Sequence, residues 1–131
     1  MAESTLKSCF RPRWMFLTLL VASCVLILTH IPPEDIPPIL QVHIPDKVEH
    51  LVAYGLIAGF FLLSLKRPVR LALLLIGLAA LAVIGALDET TQPLVNRTCD
   101  LWDYVADLTG IALACVILLV AKLLRFRTVL S

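Results

Sequence analysis

Charge in this chain is sorted into blocks, and long apolar runs separate them. Nine of the ten carboxylates are Glu34, Asp35, Asp46, Glu49, Asp88, Glu89, Asp100, Asp103 and Asp107. They alternate along the chain with nine of the eleven cations: Lys7, Arg11, Arg13, Lys66, Arg67, Arg70, Lys122, Arg125 and Arg127. The apolar runs between the blocks are Trp14 to Thr29, Leu51 to Leu65 with a start near Lys47, Val69 to Leu87, and Tyr104 to Leu124. A helix crosses the hydrocarbon in about 20 residues, with a range of roughly 17–25. The third and fourth runs meet that length outright, and flanking polar residues extend the first two into the headgroups. Backbone in lipid must satisfy its own hydrogen bonds, so each run is expected to be a helix. A hydrophobic content of 60 % and a mean hydropathy of +0.93 exceed what a soluble domain of 131 residues can hide. The expected fold is therefore all-α: one domain over residues 1–131, an integral membrane bundle of four transmembrane helices.

Cations gather before span one, between spans two and three, and after span four. The positive-inside rule makes those positions, and both termini, cytoplasmic. Two loops, Ile31 to Asp46 and Asp88 to Asp103, then face outward. The segment Lys66-Arg67-Pro68-Val69-Arg70 becomes a tight inner turn, which makes spans two and three an antiparallel hairpin. The first outer loop holds Pro32, Pro33, Pro37, Pro38 and Pro45. That density opposes helix and favours stiff, extended backbone, either a spacer or a lid over the bundle mouth. Val21-Ala22-Ser23-Cys24 resembles a lipoprotein cleavage site, but the apolar run continues past the cysteine, so an uncleaved first helix is expected. The spacing of the four cysteines fits neither a disulfide framework nor zinc, and no basic stripe with interleaved aromatics points to nucleic acid.

Ionisable groups at membrane depth are costly, so each invites an explanation. Asp46, His50 and Tyr54 are spaced i, i+4, i+8 and form one stripe at the start of span two. An N-cap after Pro45 explains Asp46, and an interfacial belt explains Tyr54; neither explains His50. Asp88 and Glu89 close span three, where two carboxylates oppose the helix dipole. Lys47, Arg97 or a bound cation would compensate them, and Gln92 shares their faces at i+4 and i+3. Asp100, Asp103 and Asp107 lie on one face at the start of span four. Capping accounts for Asp100 or Asp103 but not for Asp107, a full turn or more inside. Gly110 and Ala114 continue that face and admit a close neighbour, so Asp107 is expected to point into the bundle. This set fits an ion-pair lattice, a cation site of oxygen and nitrogen ligands, or an acid–base site with Arg97 holding an anion.

The blocks Asp46-Lys47-x-x-His50-x-x-x-Tyr54, Asp88-Glu89-x-x-Gln92 and Arg97-x-x-Asp100-x-x-Asp103-x-x-x-Asp107-x-x-Gly110 resemble, in this order, the motif blocks of VanZ-like membrane proteins. The resemblance covers residues 45–114. It departs in two places. Pro93-Leu94-Val95-Asn96 stands where the family often has an aromatic residue and Pro-Gly, and Ala114 stands where a second glycine is common. The resemblance implies a small multi-pass protein of the bacterial plasma membrane, in a family named for a member linked to teicoplanin resistance. The ligand-binding set expected here is Asp46, Lys47, His50, Tyr54, Asp88, Glu89, Gln92, Arg97, Asp103 and Asp107. No metal is assigned, since the spacing matches no specific metal motif.

Two functions follow as expectations. One is a cell-envelope protein whose outward polar pocket binds a lipid headgroup, a cell-wall precursor or a glycopeptide. The alternative is a metal-assisted enzyme acting on a lipid-linked substrate at the outer leaflet, with Asp88, Glu89, Asp103 and Asp107 around the ion and His50 as base. A purely structural role is disfavoured, because polar contacts between membrane helices average only about 0.6 kcal/mol and this set is large. Transport would require a homo-oligomer to build a pathway.

Overall fold

A computed structural model describes residues 9–35 and 44–130, with the backbone alone for residues 33 and 125–130. The architecture is all-helical: α1 (Pro12–Thr29), α2 (Asp46–Ser64), α3 (Leu71–Thr91) and α4 (Leu101–Leu130). All four contain stretches long and apolar enough to cross a membrane. Short 3-10 turns follow α1 at Pro33–Asp35 and α3 at Gln92–Val95. Lys7, Pro37 and Pro38 lie outside the described residues.

Several boundaries differ from those read in the sequence. Helix α3 runs through Asp88 and Glu89 to Thr91, so both carboxylates stand on helix rather than opening a loop. Pro93 is what ends it: a residue without an N–H cannot continue the α-helical ladder, and the chain tightens into a 3-10 turn. Asn96 closes that turn at φ 58°, a left-handed conformation that asparagine tolerates better than most side chains. Asp46 is not the cap of α2. Pro45 takes the N-cap position without a side-chain bond, and Asp46 is the first helical residue. The proline-rich loop was expected to be extended, yet Pro33–Asp35 makes one 3-10 turn.

Helix α2 is the centre of the bundle. It packs most extensively on α4 and then on α1, while α3 leans on α4 more than on its hairpin partner α2. The α2–α4 crossing is close because of Gly110. A Cβ there would overlap the Leu51 carbonyl oxygen and approach the Gly55 amide nitrogen at 2.9 Å. Tyr54, Ile57, Ala58 and Phe61 from α2 meet Leu81 of α3 and Ile111 and Ala114 of α4 in one apolar cluster. Phe16, Ile27, Ile76, Val83, Val116 and Ile117 face outward. The buried set includes His50, Asp88, Glu89, Gln92, Asp103 and Asp107. Apolar residues outside and charged ones within invert the soluble pattern and fit a bundle surrounded by lipid.

The charge blocks fall at opposite ends of the bundle. At the basic end, the Arg11 amide donates to the Ser64 carbonyl (2.6 Å) and the Lys66 amide to the Cys9 carbonyl (2.9 Å). This short antiparallel pairing ties the start of α1 to the end of α2. At the other end, α1 and α3 finish beside the starts of α2 and α4.

Candidate functional site

The acidic end is built by four helix termini that meet there. His50 stands one turn into α2, and its Nδ1 donates to Asp107 Oδ1 of α4 at 2.9 Å. The same nitrogen lies 3.6 Å from Glu89 Oε1 of α3. One imidazole thus touches carboxylates from two other helices. Glu89 also accepts from Gln92 Nε2 (2.9 Å) and from the Asp100 amide (3.2 Å). The i, i+3 spacing of Glu89 and Gln92 made the first of these contacts legible; the second required the chain to turn back on itself.

Asp107 is wholly buried and points into the bundle, where its depth in the sequence placed it. Among the described residues its Oδ2 and the Tyr54 hydroxyl have no hydrogen-bond partner. Asp107 Oδ2 and the Tyr54 ring lie against Gly85 of α3. A Cβ on Gly85 would sit 3.1 Å from Asp107 Oδ2 and 3.2 Å from the Tyr54 ring, so the missing side chain makes their niche. Tyr54, only 1 % exposed, is a core residue and not part of an interfacial belt. Asp46 is the outer end of its stripe. Its side chain is 62 % exposed, with Oδ1 4.0 Å from His50 Nε2.

Lys47 does not compensate Asp88 or Glu89. Its Nζ donates to Asp100 Oδ2 (2.8 Å) and to Asp103 Oδ1 (3.1 Å), clamping the start of α4 to the start of α2. Asp100 caps α4 by accepting the Trp102 amide on Oδ1 at 2.8 Å. The Lys47 ammonium and that amide hold the Asp100 carboxyl below the usual carboxylate range.

Arg97 does not answer the two carboxylates either. Its Nε donates to the Ile31 carbonyl (3.3 Å) and its Nη2 to the Leu28 carbonyl (3.5 Å). It therefore satisfies the open carbonyls at the end of α1, where a cation also meets the negative helix pole. Asp88 is instead met by α1. The Thr29 hydroxyl donates to Asp88 Oδ1 at 2.7 Å, and His30 Nδ1 lies 3.4 Å from the same oxygen. His30 also bonds the Leu26 carbonyl through Nδ1 and the Thr91 hydroxyl through Nε2, both at 2.9 Å.

Thr29 and His30 are members of this end that sequence reasoning missed. Both end an apolar run on the acidic side, which is the only local signal they carry. Their partners lie 59 to 61 residues away, beyond the reach of any helical spacing rule.

A cleft of about 290 Å³ opens between α1 and α2 at this end. Val25, Leu28, Ile31 and Ala53 give it apolar walls, and Asp35, Asp46, Glu49, His50 and Arg97 give it a polar mouth. His50 therefore has two aspects: one edge in the cleft, the other against the buried carboxylates. Of the expected set, Asp46, His50 and Arg97 line the cleft. Glu89, Gln92 and Asp107 stand behind His50, Lys47 and Asp103 hold the α2–α4 seam, and Asp88 faces α1.

No family model, no curated protein and no solved structure matches the chain.

Proposed function

We propose that the protein is a VanZ-like integral membrane protein of the bacterial plasma membrane whose acidic end faces outward and binds the head of an amphiphile. The observation that carries this reading is the cleft between α1 and α2, with apolar walls for a chain and a polar mouth for a headgroup. The chemistry of the mouth favours a zwitterionic head. Asp35, Asp46 and Glu49 suit an amine or hydroxyls. Arg97 spends one Nε and one Nη donor on the end of α1, and the rest of its guanidinium fork suits a phosphate or carboxylate. A membrane lipid, a lipid-linked cell-wall precursor and an acylated glycopeptide such as teicoplanin share that chemistry.

The cation distribution supports placing both termini in the cytoplasm. The alternative, a metal-assisted enzyme at the outer leaflet, would take its base from His50, whose Nδ1 is engaged by Asp107 and whose Nε2 is left to accept a proton.

Two measurements test the binding reading. Native mass spectrometry of the protein released from bilayers is expected to retain a headgroup-bearing amphiphile, with about tenfold less retained in Arg97→Gln, the usual scale for one lost charge-assisted contact. Expression in a Gram-positive host is expected to raise teicoplanin tolerance, and Glu89→Ala at equal membrane abundance to lose that gain. Equal amphiphile retention in wild type and Arg97→Gln would sink the cleft as the binding site. Unchanged susceptibility with amphiphile retained would detach the protein from glycopeptides and leave a lipid or precursor as ligand.

A further inference from the structure

We infer that His50, Glu89 and Asp107 form a binding site for one divalent first-row transition ion of the Mn²⁺ or Zn²⁺ class, buried behind the cleft. The site needs no amphiphile and stands whether or not one binds.

Geometry is the first argument. One donor atom from each of the three residues lies within 4.8 Å of the other two, and all three residues are buried. The His50 Nδ1 separations are 2.9 Å to Asp107 Oδ1 and 3.6 Å to Glu89 Oε1. Ligands at ~2.0–2.1 Å from a tetrahedral zinc stand roughly 3.3 Å apart, and those of an octahedral ion somewhat closer. The observed separations bracket that value, so small shifts would place an ion among the three donors. It would replace the proton that His50 Nδ1 now shares with Asp107, and binding would release that proton.

Charge is the second argument. Glu89 and Asp107 are two carboxylates in the interior of a membrane bundle. Lys47, the cation nearest the seam, is engaged by Asp100 and Asp103. Against the two carboxylates stands His50, which supplies at most one positive charge. A divalent ion with neutral imidazole balances them fully, and uncompensated charge at this depth is expensive.

Atoms outside the carboxylate–imidazole contacts point the same way. Asp107 Oδ2 is buried and has no hydrogen-bond partner among the described residues. The Tyr54 hydroxyl, on a residue 1 % exposed, is unpartnered too and lies in the electrostatic range of Asp88, Asp107 and Glu89. Gly85 leaves room beside Asp107 Oδ2 and the Tyr54 ring. A buried carboxylate oxygen on one of the three residues, and a buried phenol within electrostatic range of it, are donors left over to join a coordination shell. An imidazole with two carboxylates favours a transition ion over calcium or magnesium, which take all-oxygen shells. A second grouping, Asp46, His50 and Asp103, is the weaker candidate, because Asp46 is exposed and Asp103 already pairs with Lys47.

The test uses full-length protein in detergent, stripped with a chelator and then equilibrated with Mn²⁺ or Zn²⁺. Elemental analysis is expected to find one ion per chain, with a higher melting temperature that the chelator reverses. Glu89→Gln and Asp107→Asn are each expected to weaken binding at least about tenfold, and Asp46→Asn to leave it unchanged. If the variants misfold, the Mn²⁺-loaded wild type still decides. Its electron–nuclear double resonance spectrum is expected to show one nitrogen ligand. Stripped protein that stays helical yet takes up no ion would overturn the proposal, as would an ion with no nitrogen coupling or equal affinity in all three variants.

Discussion

At the scale of single residues, two glycines on α2 and α4 make opposite predictions. Gly110 sits where α4 crosses α2, and a Cβ there runs into backbone, which cannot rotate away. Among the described residues, nothing lies within 4 Å of where a Gly59 Cβ would be. Gly110→Ala is therefore expected to lower stability by about 1–3 kcal/mol, the usual cost of overpacking. Gly59→Ala is expected to be neutral or to stabilise by up to about 1 kcal/mol, since alanine has the better helix propensity. Helicity followed through an SDS titration separates the two. Equal midpoints would mean that the α2–α4 seam is looser than its backbone distances imply. Gly110 was legible in the sequence because it continues the face of Asp103 and Asp107. Gly85 was not, because its role depends on Tyr54 and Asp107 arriving from two other helices.

At the scale of elements, α1 is attached differently from the rest. It is held at its start by backbone bonds to the end of α2. At its finish, Thr29, His30 and the carbonyls of Leu28 and Ile31 engage α3 and Arg97. Thr29→Val removes the hydroxyl without changing the shape, and leaves Asp88 Oδ1 with the longer His30 Nδ1 contact at 3.4 Å. The expected cost is about 1–2 kcal/mol, above the average membrane polar contact because a buried carboxylate loses its short hydrogen bond. Thr18→Val is the control, since the Thr18 hydroxyl donates to the Trp14 carbonyl of its own helix. Hydrogen exchange is expected to quicken at the end of α1 in Thr29→Val and not in Thr18→Val; the same exchange in both would remove Thr29 as an anchor.

The same element shows what sequence could and could not supply. The apolar runs located all four helices, because length and hydropathy are local properties. The pairs Asp46–His50 and Glu89–Gln92 were readable for the same reason, as they lie one turn apart. The assignment of cations was not. Lys47 and Arg97 were both candidates to neutralise Asp88 and Glu89, yet one went to α4 and the other to the carbonyls of α1. Which charge finds which partner depends on the order of helices around the bundle, and no spacing rule contains that order.

At the scale of the whole molecule, Cys99 measures direction across the membrane. Cys99 is exposed in the turn before α4, at the end that carries the carboxylates. Lys66, Arg67 and Arg70 are exposed at the opposite end. Moving a cluster of cations across the bilayer during insertion is opposed by the membrane potential, at about 2.3 kcal/mol per charge per 100 mV, whereas carboxylates contribute little to orientation. The basic end is therefore expected to stay in the cytoplasm and Cys99 to face outward. In a variant with Cys9, Cys24 and Cys115 changed to serine, a membrane-impermeant maleimide is expected to label Cys99 in intact cells. Labelling only after permeabilisation would reverse the orientation. The cleft would then open to the cytoplasm, where no cell-wall glycopeptide reaches it, and the amphiphile bound there would have to come from the inner leaflet. The buried His50, Glu89 and Asp107 would be unaffected, because their burial in the bundle is the same whichever side it faces.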